Sequence, residues 1–320
     1  MSSHDDHDHK GPFEGRTYLY IRTHPSDNGT EPLSAGLPFW ISPDIIIIKP
    51  GNIPGGEAVA GEVNQVQVVV TNAGGVTAVD AFVDAFVADP STGWTPATAK
   101  FIGGDFLTIP GYNTASISFP WIPLPADAGH RCILARVALF VPPDTYVNGA
   151  IFDVVGDRHL AQRNIHVVAL AQNMQSLSFG FLLFNAMGTR DEFDVQANEV
   201  RIDQNANLVR AAIGCGLAQF GATPLQDIRL LVADPVQPPD MSRPDRGRNE
   251  PQMGMLPKPI DSEKITQRHV KMGPYEARSA VLTVGRNPDT RPGDVHVVQV
   301  TQVDLSTRSV VGGLWVVVQH

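Results

Sequence analysis

Few side chains in this sequence stand where chemistry would need them. Cys215 lies between Gly214 and Gly216, as nucleophiles on tight turns sometimes do. No strand–turn–helix elbow surrounds it, and no histidine is placed to activate it; a structural thiol is expected. His130 and Cys132 are too few ligands for zinc, and neither a Cys-x-x-Cys nor a His-Glu-x-x-His pattern accompanies them. Asp144, Asp153 and Asp157 could gather round Ca²⁺ at one end of a domain, but they lack EF-hand spacing, and solvated loop acids are the simpler expectation. Gly55-Gly56 and Gly103-Gly104-Asp105 are not phosphate loops, because no Lys-Ser/Thr and helix follow them. His4, His7 and His9 interleave with Asp5, Asp6 and Asp8. Such a tail can hold Zn, Ni or Cu loosely, without fixed geometry, and is expected to be solvated and dispensable for folding. Of the tryptophans, Trp121 and Trp315 fall in strand-like runs and read as core. Trp94 follows Gly93 in a turn and is the candidate for stacking on a ligand such as a sugar ring. No constellation here predicts catalysis, and no cofactor is expected.

The elements around these residues read as β-structure. The central stretch is Asn64–Asp89, NQVQVVVTNAGGVTAVDAFVDAFVAD. Gln65 to Thr71 alternates polar and apolar, with Val66, Val68 and Val70 on one face of a half-buried strand. Asn72-Ala-Gly-Gly75 breaks the run, since Asn and Gly tolerate positive φ. A second strand follows, with Phe82 and Phe86 on one face, expected to point into the first core with the three valines. A hairpin alone is marginal in water, so further strands must cover it. Candidates are Thr17–Arg22 at an edge, Ile45–Ile48, Phe106–Ile109, Thr114–Trp121, the inner run around Cys132–Val137, and Asn164–Leu170 as the closing strand. Some seven short strands with turns every 8–12 residues argue for a β-sandwich.

The order of features across residues 39–170 resembles the bacterial adhesion-related Ig-like domains called CARDB. The matching pieces are Pro43-Asp44, Val68-Val-Val-Thr-Asn72 with Gly74, Pro110-Gly111 with Phe119-Pro-Trp121, Gly129 through Ala135, and Gln162-Arg-Asn164. The loop Pro142–Gly156 is longer than that pattern. The resemblance implies an Ig-like sandwich used as a spacer or binding module, and it carries no catalytic residues.

From Ser176 a second set of strand candidates begins: Ser176–Asn185, Phe193–Ile202, Asp227–Ala233, Ala277–Val284, Val295–Val303 and Val310–Gln319. Arg291-Pro-Gly-Asp294 and Val311-Gly-Gly313 are turn or bulge signals. Val209, Ala212, Ile213 and Leu217 have helical spacing, against which Gly214 and Gly216 count. The expected architecture is all-β: a polar tail and arm over 1–38, an Ig-like sandwich over 39–172, and a second antiparallel sandwich over 173–320. The second carries a Pro-rich insertion at 235–274, with a short helix left open.

Composition narrows the function. At 320 residues the chain has room for two domains. A net charge of −9 argues against nucleic acid as the main partner. No apolar run reaches membrane-spanning length, and the N-terminus lacks the apolar core of a classical signal peptide, so a cytoplasmic place or non-classical export is expected. The insertion carries eight prolines with Met241, Met253, Met255 and Met272, and Arg243, Arg246 and Arg248 alternating with acids. Proline lowers the entropy lost on docking, and methionine adapts to irregular surfaces. Pro238, Met241, Arg243, Arg246, Arg248, Met253 and Met255 are therefore candidates for partner contact. The expected function is a non-enzymatic structural or interaction protein, self-associating or bound to a protein partner in a larger assembly. The alternative is a module that binds a glycan or a cell surface.

Overall fold

The computed structural model describes residues 12–34, 37–55, 58–124, 131–170, 174–200, 207, 209–210, 219–234 and 266–320. Among them the strands of the first half are β1 (Leu19–Tyr20), β2 (Ile45–Lys49), β3 (Ile53–Pro54), β4 (Asn64–Asn72), β5 (Ala78–Ala88), β6 (Lys100–Ile109), β7 (Asn113–Trp121), β8 (Cys132–Leu139), β9 (Asp144–Thr145) and β10 (Leu160–Arg163). Those of the second half are β11 (Ile165–Ala169), β12 (Ser176–Phe184), β13 (Asp191–Glu199), β14 (Gln219–Phe220), β15 (Gln226–Val232), β16 (Gln267–Met272), β17 (Ala277–Gly285), β18 (Asp294–Asp304) and β19 (Ser309–Gln319). Asn207, Val209 and Arg210 are helical, the trace of the short helix left open by the sequence. The fold is all-β, in two tandem sandwiches.

In the first sandwich β4 is the organising strand. It pairs with β7 along one side and with β2 and β1 along the other, with β3 outside β2. The facing sheet runs β10-β8-β5-β6, with β9 beside β8. Alternate residues of β4, from Asn64 through Val66, Val68 and Val70 to Asn72, are buried as the alternating pattern requires. They meet Ile45, Val83, Ile109, Ile133 and Val137 in one apolar core. Each fully buried valine or isoleucine contributes roughly 1.5–3 kcal/mol.

Two short motifs tie the N-terminal arm to this core. Asp44, 1 % exposed, accepts from the backbone N–H of Arg22 at 2.9 Å and forms an ion pair with its guanidinium. Asn72 accepts the N–H groups of Tyr18 and Gly74, both at 3.0 Å, and donates to Val76 O and Ile109 O. Gly74 and Gly75 do not have positive φ, contrary to the turn reading. They are required because the arm crosses directly over them: a Cβ on Gly74 would lie 2.1 Å from Arg16 O, and one on Gly75 2.4 Å from Glu14 O.

Two strand readings need correction in this half. Phe82 and Phe86 share a face of β5, but it is the outer one. The core takes Ala81, Val83, Ala85 and Val87. Phe82 is half-buried against Phe106, and Phe86 joins a separate cluster with Ala88, Trp94, Cys132 and Leu134. A strand apolar on both faces does not disclose which face is inner. Second, Ile165–Ala169 does not close the first sandwich. It runs parallel to β19, Ile165 opposite Trp315, so the chain changes sandwich at Asn164.

The second sandwich packs the sheet β11-β19-β18-β13-β16, with β14 beside β18, on the sheet β12-β17-β15. β16 lies within the segment read as an irregular insertion. It pairs with β13 and buries Val270 and Met272 in alternation, a period-2 signal hidden by the polar Gln, Arg, His and Lys between. β18 and β19 are buried on both faces. One face meets Phe181, Leu183, Phe193, Leu230 and Leu282 in the second core. The other face, through Val295, Val297, Trp315 and Val317, meets Phe39, Trp40, Ile41, Val154 and Leu160 of the first half. Gly312 and Gly313 make that approach feasible. A Cβ there would lie 1.6 Å from Thr92 O and 2.6 Å from the Trp40 ring respectively.

Candidate functional site

The junction between the sandwiches is centred on Asn164, which is fully buried. Its Nδ2 donates to Ser91 O at 2.8 Å in the first sandwich and to Gly313 O at 2.7 Å in the second. Its backbone N–H donates to Trp40 O and its C=O accepts from the Trp315 N–H. Its Oδ1 accepts from the Cys132 thiol and lies 2.7 Å from His166 Nε2. The loop after β5 adds a second clasp: the Thr92 hydroxyl donates to Gln302, Leu182 N–H to Pro90 O and Thr92 N–H to Leu182 O. With the apolar interface around it, this array fixes the two sandwiches as one body.

Cys132, His166 and Asn164 are residue types found together in thiol catalysts, and Cys132 Sγ lies 3.7 Å from His166 Nε2. All three have no solvent exposure. Burial pushes the Cys132 thiol far above its ordinary range, beyond what the backbone hydrogen bond at Ser91 and the Arg131 charge offset, so the reactive thiolate is suppressed. The arrangement is structural. His166 is two residues beyond Asn164 on the same strand parity, a spacing the sequence displays but which acquires meaning only when Cys132 is placed opposite.

A charged cluster holds the N-terminal arm at the other end of β8. Asp144 and Asp157, two of the three acids considered for a cation, converge on His159 rather than on a common open point. His159 Nε2 lies 3.0 Å from Asp144 Oδ1, and Nδ1 lies 2.8 Å from Asp157 Oδ1. Asp153 stands apart, accepting the Gly156 N–H. Arg158 bridges Asp144 and Glu31, and Leu19 N–H donates to Asp144 Oδ2. Burial disfavours the charged His159, but its two carboxylate partners outweigh that and raise its pKa. Burial likewise opposes ionised Asp144, yet His159, the Leu19 N–H and Arg158 bring it down to about 2. Glu31, Asp157 and His159 place one ligand atom each within 4.8 Å of one another; the Arg158 guanidinium already pairs with Glu31 there.

The outer face of β6-β5-β8 is the candidate contact surface. Phe106 packs beside Phe82 with centroids 5.3 Å apart, and Phe101 meets Phe86 at 5.6 Å. Between these rows Asp84 forms a two-point ion pair with Arg136, whose guanidinium lies 4.8 Å over Phe86 and 4.9 Å over Tyr146. Phe101 and Phe106 remain 56 % and 59 % exposed on a strand that pairs only with β5 among the described residues. Trp94, expected to be accessible for stacking, is instead 5 % exposed, with its Nε1–H on Asp89 O. Its turn folds inward against Phe86 and Cys132. Trp40, Trp121 and Trp315 are buried too. A cleft of about 520 Å³ beside β13 and β16 is lined by Arg190, Asp191 and two ion pairs, Glu192 with Lys271 and Glu276 with Arg278.

His4, His7 and His9, Cys215, His130, and the contact candidates Pro238, Met241, Arg243, Arg246, Arg248, Met253 and Met255 lie outside the described residues. Among the described residues, no helix is long and apolar enough to cross a membrane.

No family model and no curated protein sequence matches the chain. Among solved structures, it is similar to the crystal structure of the CARDB domain of the PF1109 protein from Pyrococcus furiosus. Identity is 16 %, over 34 % of this chain and 77 % of that one, with a TM-score of 0.24. The solution structure of the same domain gives 15 %, 39 %, 94 % and 0.25. The collagen adhesin CNA of S. aureus gives 9 %, 88 %, 94 % and 0.24. The domain type that the ordered motifs of residues 39–170 resemble is thus among the structures this chain is similar to, and the functional reading rests on the chain's own side chains.

Proposed function

We propose that this protein is a non-enzymatic structural or interaction protein, in which two sandwiches act as one rigid unit and contact a protein partner or a second copy. The observation that carries this reading is the exposed aromatic edge of β6, displayed on a body made rigid by the Asn164 junction. Phe has no polar handle and the β6 backbone has an unpaired side among the described residues, a combination suited to strand addition by a protein partner. The Pro-rich segment, through Pro238, Met241, Arg243, Arg246, Arg248, Met253 and Met255, is proposed as a second contact, since its composition favours docking at low entropic cost. The test is to replace Phe101 and Phe106 by Asp together and measure particle mass and co-purifying protein by light scattering. Loss of assembly with an unchanged melting temperature supports the reading; unchanged assembly removes this edge from it. Replacing residues 238–258 by a short Gly-Ser linker tests the second contact in the same assay.

A second reading, binding to a glycan or cell surface, draws on Tyr112 and Tyr275. Both are bulky residues held at positive φ, 55° and 53°, and both are more than half exposed. Such strained display of an aromatic ring is uncommon and suits a stacking contact. Glycan-array binding lost on substituting both by Ala would favour it.

A further inference from the structure

At one end of the second core, where β18 begins and β19 finishes, two imidazoles face each other. His296 lies on the core parity of β18, opposite Val318 of β19, and has no solvent exposure. Its Nδ1 is 2.8 Å from Glu199 Oε1, while Glu199 Oε2 accepts the Leu225 N–H. A carboxylate only accepts, so His296 Nδ1 donates to Glu199 and Nε2 is the ring nitrogen left over. That nitrogen is buried and has no hydrogen-bond partner among the described residues; neither has either ring nitrogen of His320. The ring centroids are 5.0 Å apart, nearly perpendicular. His320 is held in place by its backbone, N–H to Asp294 O and C=O from the Gly293 N–H.

We infer that His296 and His320 form a binding site for a borderline transition-metal ion of the Zn²⁺, Co²⁺, Ni²⁺ or Cu²⁺ class, with Glu199 as the residue that orients His296. Three observations converge on it. Ring nitrogens buried without a partner lose their hydration and gain nothing in return if nothing ever meets them, and three such nitrogens lie together here. Metal-bound histidines commonly hold their other nitrogen on a carboxylate, as His296 does on Glu199. And with metal–nitrogen bonds of about 2.0–2.1 Å, two imidazoles on one tetrahedral ion have centroids roughly 5 Å apart. The charges nearby are mixed: Glu199 and Asp294 favour a bound cation and the Arg286 guanidinium opposes it. Gly221 allows His296 its place, since a Cβ there would lie 2.2 Å from Nε2. Two protein nitrogens are, as at His130 and Cys132, too few for a closed zinc centre; water must fill the remaining positions, so the site is a weak, open one.

The test uses the full chain carrying His4→Ala, His7→Ala and His9→Ala, which removes the tail as a competitor. Titration with Zn²⁺ by calorimetry, and with Co²⁺ by visible absorption, should show one saturable equivalent and a metal-dependent rise in melting temperature. His320→Ala, at a half-buried position, should weaken binding at least ~10-fold and abolish the rise while circular dichroism is unchanged. Glu199→Gln should weaken it roughly 10–100-fold. His296→Gln should behave like His320→Ala, and if that variant fails to fold, His320→Ala decides. Binding unchanged in His320→Ala, or no saturable binding by the parent up to millimolar Zn²⁺, overturns the inference.

Discussion

Each sandwich buries a histidine on an acidic partner, and the two are held differently. In the first, His159 lies between Asp144 and Asp157 with Arg158 alongside, and the two carboxylates raise its pKa against burial. In the second, His296 has one carboxylate, and its neighbour is the neutral His320. Burial acts against the imidazolium in both places; two carboxylates reverse the balance at His159, and none hydrogen-bonds the His320 ring among the described residues. The first cluster is a closed set of opposite charges that clamps the N-terminal arm. The second leaves ring nitrogens buried without a partner among the described residues. The same residue type becomes an ion-pair member or a ligand according to how many acceptors the fold delivers to it.

Removing one acid from each cluster should separate the two most clearly. Asp144→Ala leaves His159 and Arg158 partly uncompensated and should cost about 3–5 kcal/mol, whereas Glu199→Ala strands one imidazole N–H and should cost about 1–3 kcal/mol. Urea denaturation at pH 7 measures both, and equal losses would show that the two clusters are not distinct in charge. Between the clusters, Asn164→Ala removes the bonds that serve both sandwiches. A loss of about 3 kcal/mol is expected, because several buried groups lose partners at once. Alkylation of Cys132, followed by mass spectrometry, should accelerate in this variant if the junction has loosened.

The two histidines also differ in their dependence on pH. His159 has a raised folded pKa, so its stabilising contribution is complete below its ordinary value of 6.5 and fades as pH rises through the raised value. His320 has a folded value near 4, so its contribution is complete above 6.5 and is lost as pH falls toward 4. His159→Gln should therefore remove a decline on the alkaline side, and His320→Ala one on the acid side, in denaturation curves from about pH 4 to 9. Asp144 adds a separate loss on acidification from its ordinary 3.8 toward 2. The smallest effect is expected at Phe82. Half-buried on the outer face, it should lose about 1 kcal/mol as Phe82→Ala, well below the roughly 3–5 kcal/mol of a fully buried phenylalanine such as Phe193.

Much of the fold was legible in local pattern. The alternation of β4 placed Val66, Val68 and Val70 in the core, and Asp44 and Asn72, read as motif positions, anchor the arm through hydrogen bonds. The runs at Ala277–Val284, Val295–Val303 and Val310–Gln319 became β17, β18 and β19. The bulge signal at Val311-Gly-Gly313 was legible only in part. The register between β18 and β19 does shift there, between Gln302 and Val303, yet Gly312 and Gly313 answer to Thr92 and Trp40 across the junction.

What the sequence determined by itself was periodicity: which segments extend, where they turn, and that two sandwiches are formed. That information is local, because side-chain alternation and turn chemistry are properties of neighbouring residues. Long-range packing sets which face of β5 is the core, that Ile165–Ala169 belongs to the second sandwich, and that Trp94 is turned inward. It alone brought Cys132 to His166, His159 to its two acids, and His296 to His320. These depend on contacts between residues far apart in the chain, where packing of the opposite sheet, and not the residue's own neighbours, sets burial, charge and the number of partners.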